Sequence, residues 1–135
     1  MRMVLLLLAL LAAASSLATA ADDATTAQSA IRQQEQAFAR DDAAAAYAQA
    51  APELHAMFPS PDIFMAMVRQ GYAPVYRHKS FEFGESKTEG GVIAQRVHII
   101  DANGEAWEAL YTLETQPDGD LKITGCSLLK AEQSV

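Results

Sequence analysis

Apolar and polar residues follow two different periods along the chain, a helical period in the first half and a strand-like period from Val75 onward. Ala27, Ile31 and Phe38 recur at helical spacing and predict an amphipathic helix over about residues 26–39. The segment 25–28 has the pattern of a capping box, which places the start of this helix there.

A short alanine-rich segment, 43–51, is predicted as a second helix, which Pro52 ends. Asp41 and Asp42 directly precede this segment. Carboxylates are common at helix N-termini, where they accept hydrogen bonds from unpaired backbone amides. We therefore interpret the two aspartates as capping residues rather than as a catalytic pair.

A third helix is predicted to begin at Ser60 and Pro61, a cap followed by a first-turn proline, and to end at Gly71. One apolar stripe follows its helical period: Ile63, Phe64, Met67 and Val68. All three predicted helices precede the strands, which favours the α+β fold class.

The β-rich runs after Val75 are separated by three turn signals, at Gly90-Gly91, Asn103-Gly104 and Asp118-Gly119. Asn-Gly and Asp-Gly between β-rich runs are strong signals for tight hairpins. The sequence therefore predicts an antiparallel meander.

Two-residue turns in the last two hairpins would determine which residues share a face of the sheet, although a single bulge would invert part of that register. One predicted face is amphipathic: Arg96, His98, Ile100, Trp107, Ala109, Tyr111, Lys122, Thr124, Cys126 and Leu128. The other is richer in aliphatic residues: Ile93, Gln95, Val97, Ile99, Glu108, Leu110, Thr112, Leu121, Ile123, Ser127 and Leu129. We expect the aliphatic face to lie against the helices.

Three polar residues on the predicted aliphatic face, Gln95, Glu108 and Thr112, are the candidates for lining a pocket. A buried carboxylate such as Glu108 would need a partner or a function. The alternative is an irregular pleat that leaves Glu108 in water, as is usual for glutamate.

Four residues of the opposite face, Arg96, His98, Trp107 and Tyr111, form the candidate surface patch. They could bind a ligand or partner, with an acid-base histidine beside a phenol. The interpretation that we favour is an ordinary sheet surface on which the aromatic rings cover aliphatic neighbours. Cys126 is interpreted as a small buried hydrophobic residue, because nothing in the sequence specifies a base beside it.

The amino terminus has the pattern of a secretory signal peptide: one positive charge at Arg2, an apolar run, and small residues at Ala18 and Ala20. Cleavage between Ala20 and Ala21 would release residues 21–135 into the periplasm or the medium. A membrane anchor is the competing interpretation, but the apolar run is shorter than the roughly 20 residues that a spanning helix needs.

Composition limits the remaining possibilities. Without Arg2 the formal net charge of −7 becomes −8, a sign that disfavours binding to nucleic acid or to a membrane surface. Residues 21–135 suit a single domain, and with one cysteine in the chain no intramolecular disulfide can form. The three histidines lack the spacing of metal ligands, and no phosphate loop or serine elbow is present. The sequence predicts no metal, no cofactor and no catalytic set.

Several motifs give the chain a family resemblance. They are Ala30-Ile31 to Phe38, Asp41-Asp42 with Ala45-Ala46-Tyr47, Met67-Val68-Arg69 with Gly71 to Tyr76, Gln95-Arg96-Val97, Trp107 to Tyr111, and Gln116 to Gly119 running to Cys126. With them the chain resembles the domain of unknown function 4864 family, and the order of its elements resembles the nuclear transport factor 2-like cone. The resemblance implies export and an α+β cone in which N-terminal helices pack on a curved antiparallel sheet, and it implies no activity.

Three classes of function follow. The first is a non-catalytic exported pocket domain that binds a small apolar or amphipathic molecule. The second is an acid-base enzyme of the isomerase or dehydratase type, working through Glu108 or His98. The third is a homodimeric or partner-binding module that uses the face of Trp107 and Tyr111.

The export signal generates the first testable prediction. The exported protein should begin at Ala21, because Ala18 and Ala20 are the small residues that the signal peptidase accepts. Amino-terminal sequencing of the periplasmic protein measures this directly. Recovery of intact Met1 from the membrane fraction would contradict it.

Overall fold

A computed structural model describes residues 22–131 of the chain. The predicted signal peptide and its cleavage site between Ala20 and Ala21 lie outside the described residues. None of the helices between 22 and 131 is long and apolar enough to cross a membrane.

Between residues 22 and 131, five helices precede four strands. The helices are α1 (22–39), α2 (Ala43–Ala48), α3 (Pro52–Met57), α4 (Pro61–Gly71) and α5 (Ala73–Tyr76). The strands are β1 (His78–Glu89), β2 (Val92–Asp101), β3 (Ala106–Thr115) and β4 (Leu121–Lys130). They form an open, curved antiparallel sheet in the order β1-β2-β3-β4, and the predicted α+β fold class is confirmed.

Helix α1 buries one stripe against the sheet. Its apolar core residues follow the helical period: Ala27, Ala30, Ile31, Ala37 and Phe38. The predicted start at 25–28 is wrong, since helix already covers residue 22 and the Thr26 hydroxyl donates to the Asp22 carbonyl, 2.8 Å away, inside it.

Of the caps predicted from the sequence, Asp42 of α2 and Ser60 of α4 are confirmed, whereas Asp41, which has a φ of +57°, forms an ion pair with Arg77 and does not cap α2. The Asp42 carboxylate accepts a hydrogen bond from the Ala45 amide, and the Ser60 hydroxyl accepts one from the Ile63 amide. The second helix ends at Ala48, earlier than predicted, because Gln49 and Ala51 instead hydrogen-bond to the edge of β4. The short helices α3 and α5 were not predicted.

The hairpin between β2 and β3 has a three-residue loop, 102–104, where a two-residue turn was predicted. The Asp101 amide donates to the Glu105 carbonyl at 2.8 Å, and Gly104 has a φ of +85°. This is the type I turn followed by a left-handed residue, the form that glycine makes accessible. The extra loop residue shifts the pairing by one position, so that Ile99 pairs with Trp107.

The Asp101 side chain holds this loop together. Its Oδ1 accepts from the Asn103 and Glu105 amides, each at 2.9 Å, and its Oδ2 accepts from Trp107 Nε1 at 2.8 Å. These bonds, with that to Trp107 foremost, hold the pKa of Asp101 below its ordinary range.

The hairpin between β3 and β4 has a second three-residue loop, with the Gln116 amide donating to the Asp120 carbonyl. A bulge at Thr124 then adds one residue to β4 and restores the register that a two-residue turn would have given. The predicted pairing is therefore confirmed beyond the bulge, where Tyr111 pairs with Cys126, and is wrong next to the loop.

The corrected register changes which residues face the helices. The sheet residues of the hydrophobic core are Phe81, Ile93, Val97, Ile99, Ala109, Tyr111, Leu113 and Ile123. On β3 these are the odd-numbered positions, whereas the prediction placed the even-numbered ones there. Glu108, Leu110 and Thr112 thus lie on the outer face of the sheet, the face away from the helices.

The Asp101 loop generates the second prediction, which concerns pH. An aspartate whose pKa is lower in the folded than in the unfolded state stabilises the fold above its unfolded pKa of about 3.9. That stabilisation is lost as the pH falls below this value and through the lower folded pKa. The difference in Tm between the wild type and Asp101→Asn should therefore be large at pH 7 and shrink at pH values below about 4.

A second variant separates the contributions to this effect. Trp107→Phe removes the largest cause of the lowered pKa and keeps both backbone bonds. Its Tm should fall between those of the wild type and Asp101→Asn at pH 7. A Tm difference for Asp101→Asn that stays constant down to strongly acidic pH would show that the Asp101 carboxylate does not stabilise the folded loop.

Candidate functional site

A cavity of about 300 Å³ lies between the helices and the β3–β4 end of the sheet. Residues of α1, α3, α4 and α5, with one residue that follows α3 and one that follows α4, form its walls: Gln34, Phe38, Leu54, Met57, Phe58, Phe64, Met67, Val68, Tyr72 and Val75. Strands β3 and β4 form its floor: Tyr111, Ile123, Thr124, Gly125 and Cys126.

The floor of the cavity lies at the bulge of β4. A bulge bends its strand and increases the local twist. The Thr124 hydroxyl donates to the Thr112 hydroxyl at 2.9 Å, which ties the bulged segment to β3. The Ile123 carbonyl accepts from the Ala51 amide, and its amide donates to the Gln49 carbonyl. These bonds join the floor to the segment from which α3 begins.

Helix α3 is the wall with the weakest packing, since none of its residues is buried. Tyr47 of α2 holds it in place. The His55 ring stacks on the Tyr47 ring with 3.8 Å between centroids, and His55 Nε2 donates to the Tyr47 carbonyl at 2.8 Å. The Tyr47 hydroxyl in turn donates to the Phe58 carbonyl at the end of the helix.

Two methionines give the walls adaptable shape. Met67 of α4 is partly buried, and Met57 at the end of α3 is 68% exposed. Methionine side chains are flexible and polarisable, and they suit surfaces that must fit ligands of varied shape. Phe58 and Phe64 add aromatic area beside them, with their rings edge to face at 6.2 Å.

The polar groups on the cavity floor are protonated at neutral pH. Burial, and secondly the neighbouring Cys126, raises the pKa of the Tyr111 phenol well above its ordinary value. Burial also raises the pKa of Cys126 to about 12, although the Tyr111 hydroxyl, which donates to the sulfur, acts in the opposite direction. Neither group is a base or a nucleophile at pH 7.

The other polar groups in the wall already have partners. The Tyr72 hydroxyl donates to the Cys126 carbonyl at 3.0 Å, and the Gln34 amide donates to the Ala46 carbonyl at 3.2 Å. Between residues 22 and 131, no buried side-chain nitrogen or oxygen lacks a hydrogen-bond partner. The cavity therefore presents an apolar surface whose few polar groups are neutral and satisfied.

Gln95 is buried on the helix side of the sheet, but it does not line the cavity. Its side-chain amide lies 3.0 Å from the Gly84 carbonyl and 2.8 Å from the Arg96 carbonyl, and its oxygen accepts from Gln28. Gly84 lies where the pairing of β1 with β2 shifts register. Gln95 thus satisfies carbonyl groups at an irregular point of the sheet.

Glu108 and Thr112, the other two predicted lining residues, lie on the outer face because of the one-residue shift. Glu108 accepts from Arg96 at 3.1 Å in an ion pair, and His98 is its cross-strand neighbour. Arg96 and His98 are both exposed. Of the two alternatives given for Glu108, the structure supports the one that keeps it out of the pocket, because Glu108 does not line the cavity.

The predicted surface patch is divided between the two faces of the sheet. Arg96 and His98 lie on the outer face. Trp107 and Tyr111 lie on the helix face, where Trp107 bonds to Asp101 and Tyr111 is 2% exposed. Tyr111 and Cys126, which the sequence analysis kept apart from the pocket, are the residues that the structure brings together in it.

The cavity residues of α3 were missed by sequence reasoning. Leu54, Met57 and Phe58 have helical spacing, which is a usable signal, but the segment begins at Pro52 and spans less than two turns. A three-position pattern of that length does not distinguish a helix from a loop.

A second group of ionisable side chains joins α1 to β1. His78 Nε2 lies 2.6 Å from Glu35 Oε2, its Nδ1 lies 3.1 Å from the Pro74 carbonyl, and Arg32 pairs with the same Glu35. Both nitrogens of His78 are thus occupied by structural bonds. Within residues 22–131, no three His, Cys, Asp or Glu side chains are placed to hold a metal ion.

Comparison with known proteins identifies a family. A family model described as a domain of unknown function (DUF4864) matches residues 20–135. No curated protein and no solved structure matches the chain. The match agrees with the motifs singled out in the sequence and brings no activity with it.

The partly buried thiol of Cys126 generates the third prediction. At pH 8 a pKa of about 12 leaves roughly one Cys126 thiol in ten thousand ionised, whereas a thiol in the unfolded chain has a pKa of about 8.5. Alkylation of Cys126 by iodoacetamide, followed by mass spectrometry, should be about a thousandfold faster in denaturant than in the folded protein.

Ser127→Cys supplies an internal reference, because residue 127 directly follows Cys126 and its side chain is exposed. The folded variant should take up one label quickly and the second slowly. Rapid double labelling of the folded variant would show that the Cys126 thiol is not buried.

Proposed function

Because the chain belongs to the domain of unknown function 4864 family, whose name assigns no activity, we propose from the geometry that its cavity binds one small apolar molecule. The observation that carries this proposal is the cavity itself, about 300 Å³ of space with aromatic, aliphatic and methionine walls. Ligand sites in proteins begin at about this volume and are lined in this way.

The satisfied state of the polar groups supports the same conclusion. A cavity with unpaired polar groups would be filled by ordered water, which an apolar ligand would have to displace at a cost. Here Tyr72 and Gln34 already bond to backbone carbonyls, so an apolar ligand replaces no essential hydrogen bond.

An acid-base enzyme of the isomerase or dehydratase type has less support. Glu108 and His98, its two expected groups, lie on the outer face of the sheet, away from the cavity. Tyr111 and Cys126, which do lie in the cavity, stay protonated near neutral pH because burial raises both pKa values. Binding without catalysis fits these groups better.

A partner-binding or homodimeric module has less support as well. The expected aromatic face would have consisted of Trp107 and Tyr111, and Tyr111 is buried among the core residues. What remains on the outer face around Arg96 and His98 is charged and exposed.

The proposal extends to architecture and location. A nuclear transport factor 2-like cone is supported by helices that precede and cover one face of a curved four-stranded sheet. A periplasmic or secreted location is supported by the signal-peptide pattern of residues 1–20.

The fourth prediction tests the cavity by filling it. Met67→Trp places a larger ring in the wall, whereas Ile63→Trp places the same ring on the same helix at a position that is 50% exposed. The probe is N-phenyl-1-naphthylamine, an uncharged fluorophore that is excited directly rather than through tryptophan. We expect Met67→Trp to weaken its binding about tenfold or more, equivalent to 1.4 kcal/mol, and Ile63→Trp to leave it unchanged.

Two further comparisons make the result specific. Glu108→Gln, on the outer face, should also leave probe binding unchanged. Circular dichroism on each variant establishes that the fold is kept. Equal probe affinity in Met67→Trp and Ile63→Trp would contradict the proposal, as would a wild type that does not bind the probe.

A further inference from the structure

We propose that the cavity accepts uncharged lipophiles and rejects their carboxylate counterparts. Its ligand would then be a molecule such as a long-chain alcohol rather than a fatty acid. This inference rests on the proposed binding function and adds the chemical class of the ligand.

The first support is the composition of the wall. The part of the chain that the structure describes places no Asp, Glu, Lys, Arg or His in the lining of this cavity. A carboxylate transferred from water into such a wall would lose its hydration and find no countercharge. Burial of an unpaired charge costs far more free energy than burial of a neutral hydroxyl. We therefore expect a carboxylic acid to bind in this cavity only in its neutral form.

The second support is that the nearby cations are engaged elsewhere. Arg32 forms an ion pair with Glu35 and covers the ring of Phe83, 4.7 Å away. Arg77 donates to the Phe38 carbonyl and to Asp41. To pair with a bound anion, either guanidinium would have to leave these partners.

Lys122 of β4 is also held by a partner of its own. Its ammonium group donates to the Ala48 carbonyl at 2.9 Å, at the end of α2. A positively charged group near a helix C-terminus is stabilised where it is by the unpaired carbonyls of the last turn. Lys122 therefore adds no free cation to the cavity.

The third support is electrostatic. The carboxylate of Glu35, although paired with Arg32, adds to the raised pKa of Tyr111, whose main cause is burial. The same field acts on a bound anion and disfavours it. The chain as a whole is also negative, with a formal net charge of −7.

The experiment compares two probes that share one alkyl chain. 1-Decanol and decanoate compete with N-phenyl-1-naphthylamine for the full chain at pH 8. Decanol should displace the fluorophore, and decanoate should require at least about tenfold higher concentration, a difference of about 1.4 kcal/mol.

The pH dependence gives a second measurement. If only the protonated acid binds, lowering the pH from 8 to 6 raises its neutral fraction about tenfold per unit. The apparent affinity of decanoate should rise by about the same factor, while that of decanol stays constant. An affinity of decanoate that does not change with pH would overturn the inference.

A gain-of-function variant completes the test. Met67→Lys brings an ammonium group to the cavity wall and should bring the affinities of decanoate and decanol closer together. Ile63→Lys, at a position of the same helix that is 50% exposed and does not line the cavity, should not. If Met67→Lys does not fold, as judged by circular dichroism, the wild-type comparison and its pH dependence decide the matter.

The outcomes separate this inference from the function on which it rests. A wild type that fails to bind the fluorophore removes the binding function. Fluorophore binding with equal competition by decanol and decanoate, or with no competition by decanol, leaves the binding function standing and overturns the selectivity.

Discussion

The carboxylate of Asp101 holds the loop on which the arrangement of the sheet depends. By accepting from two loop amides and from Trp107, it stabilises a three-residue connection between β2 and β3. The side chains of a strand alternate between its faces, so one residue more or less in the loop exchanges the faces of the whole of β3. Tyr111 enters the core and Glu108 lies on the outer face because of this loop.

The curvature that makes room for a cavity depends on two irregular points in the sheet, and the polar groups at these points have hydrogen-bond partners. The register shift near Gly84 in β1 leaves carbonyls to which Gln95 donates, and the bulge at Thr124 is tied to Thr112 by a hydrogen bond. Unsatisfied groups at these points would cost the fold stability. Because they have partners inside the sheet, the cavity can remain apolar and neutral without leaving polar groups unpaired.

Elements that depend on local signals were predicted correctly from the sequence, whereas those that depend on contacts between distant residues were not. The helix from Ser60 to Gly71 was predicted correctly because its cap, first-turn proline and terminal glycine are local signals. The faces of β3 were not, since Asn-Gly suits both a two-residue and a three-residue loop, and the choice depends on the contact between Asp101 and Trp107. The residues that line the cavity could not be predicted for a related reason: its floor requires the correct register, and part of its wall is a helix of six residues.

Helix α3 has a consequence for the kinetics of the site. It contributes Leu54 and Met57 to the cavity, yet it buries no residue and is held mainly through Tyr47. Segments with so few buried contacts open by local unfolding at a small fraction of the global free energy, as amide hydrogen exchange detects. Access to the cavity is therefore expected to follow the opening rate of α3, whereas most of the lining that determines affinity lies on α1, α4 and the sheet. Residence time and affinity could then change independently, through substitutions in different parts of the molecule.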